Sequence, residues 1–421
     1  MVDNICLFED VYYKRLLPLV YFRPLYDLRC GILTLREKIT KQYPNIPVSL
    51  HCRSYLKDLV KQQNPGFYVN EISGKSCLFI NGRVIVDEVF KEKINLSGND
   101  KIYFKGDICI AAKVSGSKLD LLKSHLPDLF SISSFHDIDR EETDVNVISY
   151  PWDLVNANGK QIISDFNILT KDIKGDKVKG KVYEGAFLLN RDNIYIGEGS
   201  KVKPGVVLDA EGGPIYIGSN VEVFPNSTIE GPAFIGDGSK IKVGAKIYEN
   251  TSIGPVCKVG GEVEASIFHS YSNKQHDGFL GHSYLGMWVN LGADTNNSDL
   301  KNNYGNVKVI INGEQIDSGS MFVGLTIGDH SKSGINTMFN TGTVVGVSSN
   351  IYGGGFPSKY IPSFSWGGSE SLIGYDLGKS IEVAKRVMNR RKVEMTEVDE
   401  TLFKKVFDLT KEERIKKGMS E

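Results

Sequence analysis

Three observations predict an α/β domain followed by a parallel β-helix and a short helical tail. An aliphatic residue returns at every sixth position through the middle of the chain, glycine is abundant, and both ends lack that six-residue phase. The repeat runs through Ile217, Val223, Ile229, Ile235, Ile241, Ile247, Ile253 and Val259 without a miss. A six-residue side with one inward aliphatic, three sides to a coil, is the hexapeptide pattern of a β-helix. Its backbone groups pair with the coils above and below, while the aligned side chains fill the interior. Strands of a sandwich would alternate with period two and hold no phase of six. Glycine supplies 44 of 421 residues, above the ordinary share of about 7%, which suits the many tight corners such coils need.

Each segment follows from local pattern. The interval from Ile196 to Ile217 is 21 rather than 18, so three extra residues bulge out near 209–213. The phase resumes at Phe279, Leu285 and Leu291, then at Ile327, Ser333, Phe339, Val345 and Ile351. The interruptions, about 264–278 and 294–320, are where a solenoid carries loops and where binding chemistry concentrates. Before the coils, residues 1–180 alternate β-rich runs (4–8, 47–51, 76–80) with helix-like stretches (33–42, 55–62), an α/β signature. The coils occupy 181–368 and a tail follows over 369–421, where Leu377, Ile381, Ala384, Val387 and Met388, then Phe403, Val406 and Phe407, fall at helical spacing. Its Arg390-Arg391-Lys392 cluster reads as a solvated helix end, the alternative being a phosphate contact.

Composition removes several classes. Lys plus Arg total 50 against 51 Asp plus Glu, so no bulk attraction to nucleic acid or an anionic membrane is expected. The six cysteines lack CxxC spacing and read as reduced thiols, with no metal site among them. The opening MVDNICLFEDVYYKR has no basic-then-apolar leader, and no stretch approaches about 18 consecutive apolar residues, so a cytoplasmic location is expected.

His276-Asp277-Gly278-Phe279-Leu280-Gly281, then Val289-Asn290-Leu291-Gly292-Ala293 and Asn303-Tyr304-Gly305, are similar to the runs H-L-T-Y-L-G, V-N-I-G-A-G and N-Y-D-G. Those runs mark the acetyltransferase half of the bacterial bifunctional family that makes UDP-N-acetylglucosamine. The resemblance implies a left-handed β-helix acyltransferase behind a Rossmann-like, sugar-1-phosphate nucleotidyltransferase-like domain. It implies acetyl-CoA as acyl donor and an amino sugar phosphate or nucleotide-linked amino sugar as acceptor. It also implies a homotrimer with the acyl site between neighbouring prisms. His276 falls on the family's catalytic base, and an imidazole poised near neutral pH can take the proton as an amine attacks a thioester. Phe279, Asn290, Asn303 and Tyr304 take substrate-binding positions, Phe279 lacking the hydroxyl of the family's tyrosine. Lys274 and Lys308 are the candidate phosphate cations, with Lys258 and Lys301 flanking. The loop 296–302 is three residues longer than the family's. His269, His282 and His330 read as surface or hydrogen-bonding residues, spread too widely to ligate zinc.

In the first domain, Arg15-Leu16-Leu17-Pro18-Leu19 and Arg23-Pro24-Leu25 resemble the nucleotidyltransferase runs G-x-G-T-R-x-x-P and P-K-x-L, which places Arg15 and Arg23 at nucleotide-binding positions. Tyr150-Pro151-Trp152-Asp153-Leu154 resembles the P-W-D-L-L run that closes such domains. Yet Glu9-Asp10-Val11-Tyr12-Tyr13 stands where glycines wrap the phosphates, and Phe79-Ile80-Asn81-Gly82-Arg83 where a metal-binding Gly-Asp is sought. Two readings stay open: a magnesium-dependent nucleotidyltransferase, or a domain kept for stability, substrate capture or assembly. A non-catalytic sugar-nucleotide binding or scaffold protein is the rival to both enzyme readings.

Overall fold

A computed structural model describes residues 2–419. The first domain is built on seven strands: β1 (Asn4–Phe8), β2 (Val48–Leu50), β3 (Tyr68–Val69), β4 (Ser76–Asn81), β5 (Lys101–Lys105), β6 (Ile108–Ser115) and β7 (Asp139–Glu142). They lie in the order β3-β2-β1-β4-β6-β5-β7. The four at one side are parallel, whereas β6 runs antiparallel to β4 and β5. All five residues of β1 are buried, as befits a central strand covered on both faces. The connections α1 (Leu35–Gln42), α2 (Lys57–Gln63), α3 (Glu88–Lys93) and α4 (Gly116–Ser124) are short. Helix α1 starts where Thr34 and Glu37 form a reciprocal capping box. The 20-residue α5 (Pro151–Thr170), with proline in its first turn, ends the domain.

The coils begin at Lys181–Val182 and stack into a three-sided prism. Its first face runs from Ile194–Ile196 through Ile215–Ile217 and Thr251–Ile253 to Tyr360–Ile361. The second runs from Lys181–Val182 through Lys258–Val259 to Asn273–Lys274, and continues through Asn290 to Lys332–Ser333. The third runs from Phe187–Leu189 to Phe279–Gly281. Each of the eight residues in the unbroken repeat is at most 1% exposed, inside one continuous apolar core. Ile196 pairs with Ile217, and the extra residues leave the coil between Val207–Asp209 and Ile215–Ile217, as the interval predicts.

One inward assignment is corrected. Leu280, not Phe279, points into the core, in register with Val263. The coils there are short: Ile253 pairs with Phe268 and Phe268 with Leu285, so the six-residue phase slips. A hairpin, Lys308–Ile311 with Glu314–Asp317, leaves the stack in the second interruption. The tail opens with a strand, Leu372–Gly374, antiparallel to Ser365–Gly367, and continues as α6 (Leu377–Asn389), α7 (Glu397–Leu409) and α8 (Lys411–Lys416).

The three parts share a core. The first domain packs on the prism's first face: Asn158 donates to Asn250 O at 2.7 Å, Ser252 to Gly31 O at 2.9 Å, and the Arg29 N–H to the Tyr284 hydroxyl at 2.9 Å. Helix α7 wedges between them, with Phe403 against Phe22 at 4.7 Å and against His330 at 4.9 Å between ring centroids. Arg23 makes a two-armed ion pair with Asp329, both buried, across the same junction. All six cysteines are buried free thiols. Among the described residues no helix is long and apolar enough to cross a membrane.

Removing one partner of that pair leaves a buried charge without a counter-ion. Asp329→Ala is expected to lower unfolding free energy by about 3–5 kcal/mol, measured by denaturant titration. Arg23→Met with Asp329→Asn, which keeps an acceptor for the Met287 N–H, recovers most of the loss. A loss below about 1 kcal/mol in the single variant, the size expected of an exposed pair, contradicts this role.

Candidate functional site

The turn carrying His276 lies on the edge between the second and third faces, after Asn273–Lys274 and before Phe279–Gly281. Lys274 stands in register with Val259, in the inward column of the second face. Its ammonium therefore rises inside the prism and donates to the carbonyls of His276 at 3.0 Å and Gly260 at 3.3 Å. Burial pushes the Lys274 amine down to about 8, Asp277 and other acids opposing the shift. At Gly261, with φ +70°, a Cβ would meet the carbonyl oxygens of His276 at 2.8 Å and Gly278 at 2.9 Å, so glycine is required beside the ammonium. Lys274 thus braces the turn from within through two backbone carbonyls, where the sequence suggested a cation for phosphate.

The His276 side chain is exposed and its ring has no hydrogen-bond partner among the described residues. Stacked turns build its edge through backbone bonds, Gly244 N–H to Pro225 O and Asp294 N–H to Asp277 O among them. Val243, 63% exposed, and Ile335, 70% exposed, sit on this edge to either side of His276. The first domain covers the first face and α6 approaches the second, which leaves this edge open.

The remaining expected site residues are dispersed. Asn290 lies on the second face, bridged to Asn273 and Lys332. Phe279 is on the third face, its N–H bonded to Asn296 Oδ1 at 2.7 Å. Asn303 and Tyr304 occupy an exposed loop. Lys308 begins the hairpin whose Val309 and Ile311 pack with Trp152 and Val344, on the side of the first domain. The structure does not bring Lys308, Asn303 or Tyr304 to His276 within one chain.

A second histidine has what His276 lacks. His282 Nδ1 lies 2.8 Å from Asp299 Oδ2, and its ring stacks on Phe322 with centroids 4.9 Å apart. Both side chains keep slight solvent access, 18% and 12%. A carboxylate on Nδ1 fixes the ring and its tautomer, an arrangement suited to a base at Nε2. The sequence held one signal for this pair: 282 and 299 are 17 residues apart, one coil in this part of the stack.

In the first domain the loop after β1 is closed by two buried forks. Each oxygen of Asp10 accepts two bonds, from the Tyr12 N–H and Arg83 Nε on one and from Asn81 and Arg83 Nη2 on the other. Each oxygen of Glu9 does the same, from the Leu25 N–H and Arg53 Nη2 and from the Arg53 N–H and Nε. A fully satisfied carboxylate has no lone pair left for a magnesium ion. Among the described residues no group of three His, Cys, Asp or Glu could hold a metal, so this loop does not fit that ion. Arg23, expected at the nucleotide, is instead the interdomain partner of Asp329. Arg15 lies over the Tyr12 ring, 4.3 Å from its centroid.

The Lys274 amine is held below its ordinary 10.5, so the fold favours its neutral form. Its destabilising effect is complete below about pH 8 and fades as pH rises towards 10.5. Wild type is therefore expected to gain thermal stability relative to Lys274→Met between those two pH values. A difference that stays flat across the range contradicts the inward ammonium.

Residues 5–174 match the family model described as Sugar nucleotidyl transferase. Over 241 residues the chain is 31% identical to the Bifunctional protein GlmU of Methanococcus aeolicus, covering 57% of this chain and 47% of that one, so it spans about half the length of this relative. Over 344 residues it is 23% identical to the Bifunctional protein GlmU of Bartonella quintana, covering 76% and 69%. A 99-residue stretch, 23% of this chain and 25% of its relative, is 34% identical to the Bifunctional sugar-1-phosphate nucleotidylyltransferase/acetyltransferase of Sulfurisphaera tokodaii. Among solved structures, UDP-N-acetylglucosamine acyltransferase from Campylobacter jejuni aligns over 54% of this chain and 96% of its own, with TM-score 0.30 and 12% identity. In its strand order, its coil register and these matches the chain is similar to the GlmU-like bifunctional family, a sugar-nucleotidyltransferase-type domain joined to a hexapeptide acyltransferase-like β-helix.

Proposed function

We propose that the prism carries acetyl-CoA-dependent N-acetyl transfer to an amino sugar phosphate or nucleotide-linked amino sugar, on the edge that bears His276, between neighbouring copies of the chain. The observation that carries this reading is the open edge itself, where an exposed imidazole sits between exposed Val243 and Ile335. Apolar side chains left in water on a rigid edge favour a second apolar surface, and a homotrimer of prisms would supply it. Loops such as that of Asn303 and Tyr304, distant within one chain, are then available to a neighbour's His276. The acetyltransferase named in the relatives supports the same chemistry.

The amine nitrogen attacks the thioester carbonyl and the imidazole accepts its proton. The carbon–sulfur bond breaks as the tetrahedral adduct collapses, and the protonated imidazole returns the proton to the leaving thiolate. Backbone N–H groups of the turn stabilise the oxyanion. Lys274 fixes the turn from below through the His276 carbonyl.

A second reading places the base at His282, favoured by its Asp299 bond. In the first domain, the satisfied carboxylates of Glu9 and Asp10 favour substrate capture or assembly over nucleotidyl transfer.

Thiol release from acetyl-CoA and succinyl-CoA, against a panel of amino sugar phosphates and nucleotide sugars, tests this. His276→Ala is expected to lower kcat by about 100-fold or more with an unchanged melting temperature. A selective loss in His282→Ala instead would move the base to the dyad. Wild type that releases no thiol with any acceptor overturns the acyltransferase reading. Ile335→Asp is expected to yield a monomer, by light scattering, that no longer turns over.

A further inference from the structure

The outward column of the second face changes character along the prism. In register it reads Lys201, Glu222, Lys240, Lys258, Asn273, and then by single bridges Asn290 and Lys332. At the early coils Glu222 neutralises its neighbours, lying 2.8 Å from Lys240 and 3.9 Å from Lys203. From Lys258 to Lys332 the column holds lysines and amides only. Over this acid-free part lies the end of α6, which adds Arg390 and Arg391.

These residues enclose a cleft of about 260 Å³ between the second face and α6. Lys258, Lys332, Arg390 and Arg391 line it, and among the described residues no carboxylate does. Its floor is the amide pair Asn273 and Asn290, and one wall is the stacked rings of Tyr271 and Trp288, 4.3 Å apart. Arg391 is oriented by a 2.6 Å bond from Nη2 to Asn273 Oδ1. Lys332 donates to the His330 carbonyl at 2.8 Å and has no acid partner among the described residues. Burial drives the Lys332 amine down to about 8, and burial together with Arg391 and neighbouring lysines lowers that of Lys258. Four cations drawn together in a half-enclosed space repel one another and lose hydration, a cost that a bound anion removes. Guanidinium and ammonium groups lining one cleft suit phosphate oxygens. The volume lies below the range of roughly 300–1,000 Å³ for whole drug-sized ligands, so the cleft matches a charged head rather than an entire nucleotide.

We propose that this cleft binds the phosphate or diphosphate head of a ligand, gripped between Lys258 and Lys332 of the prism and Arg390 and Arg391 of the tail. The tail is thereby part of a binding site, and its basic cluster is no mere solvated helix end. The site stands independently of the acyl-transfer reading, although Gln275 on its rim precedes His276 in the chain.

Calorimetric titration of the full chain with inorganic pyrophosphate, at constant ionic strength, tests it. Lys332→Gln and Arg391→Gln are each expected to weaken binding by about tenfold or more, the scale of one charge-assisted contact, without loss of thermal stability. Lys240→Gln, in the same column outside the cleft, and His276→Ala are expected to bind as wild type does. Competition by UDP, by adenosine 3′,5′-bisphosphate and by glucosamine 1-phosphate distinguishes a nucleotide, a coenzyme A and a sugar phosphate source. Wild type that fails to bind pyrophosphate, or that binds equally well in both cleft variants, overturns the proposal. Should Arg391→Gln unfold, the Lys332→Gln titration decides alone.

Discussion

The structure depends on the burial of one aliphatic side chain per six residues in aligned columns. No coil can hide its apolar face alone, so every turn is fixed by the coils beside it. This is why an exposed imidazole at position 276 can hold its place without a partner of its own. The column also shows where selection has departed from stability: Val259 is followed in register by Lys274, a lysine inside a hydrocarbon stack. Its ammonium is tolerated because two turn carbonyls accept from it, and one of those carbonyls belongs to His276.

A second constraint comes from buried guanidinium–carboxylate pairs. Arg53 with Glu9 and Arg83 with Asp10 occupy the centre of the first domain's loop, while Arg23 with Asp329 joins that domain to the prism. Such pairs contribute little net stability against an apolar alternative, yet they fix geometry because a mismatched partner is costly. Here they turn a loop that would cradle phosphates in a nucleotidyltransferase into a rigid, internally neutralised element. The prism's faces are then divided: the first is covered by the first domain, the second is overlain by the tail, and the edge beyond it is open.

Most of the fold was legible in the sequence because its strongest signals are local. The six-residue phase located the eight inward positions, and the runs at 4–8, 47–51 and 76–80 became β1, β2 and β4 with small shifts at their ends. Phe279 was misread because shortened coils move the phase, and coil length is set by corner geometry rather than by hydrophobicity. The site was less legible. Lys274 was read as a phosphate cation from its place two residues before His276, but its register with Val259 is a long-range property. Arg23 matched a nucleotide motif while its partner Asp329 lies 306 residues away. The basic cleft needed the tail folded back onto coils more than a hundred residues earlier, which no spacing encodes.

We propose that coenzyme A chemistry occurs on the open edge of an assembled prism. Hydrogen–deuterium exchange with and without coenzyme A addresses this most directly, because backbone amides report the footprint whatever the acceptor sugar. The account predicts slowed exchange in the stacked turns at 242–245, 275–278 and 334–337, and only in the oligomer. Protection confined to the first domain's β1 loop, or no protection in these turns at saturating coenzyme A, contradicts it.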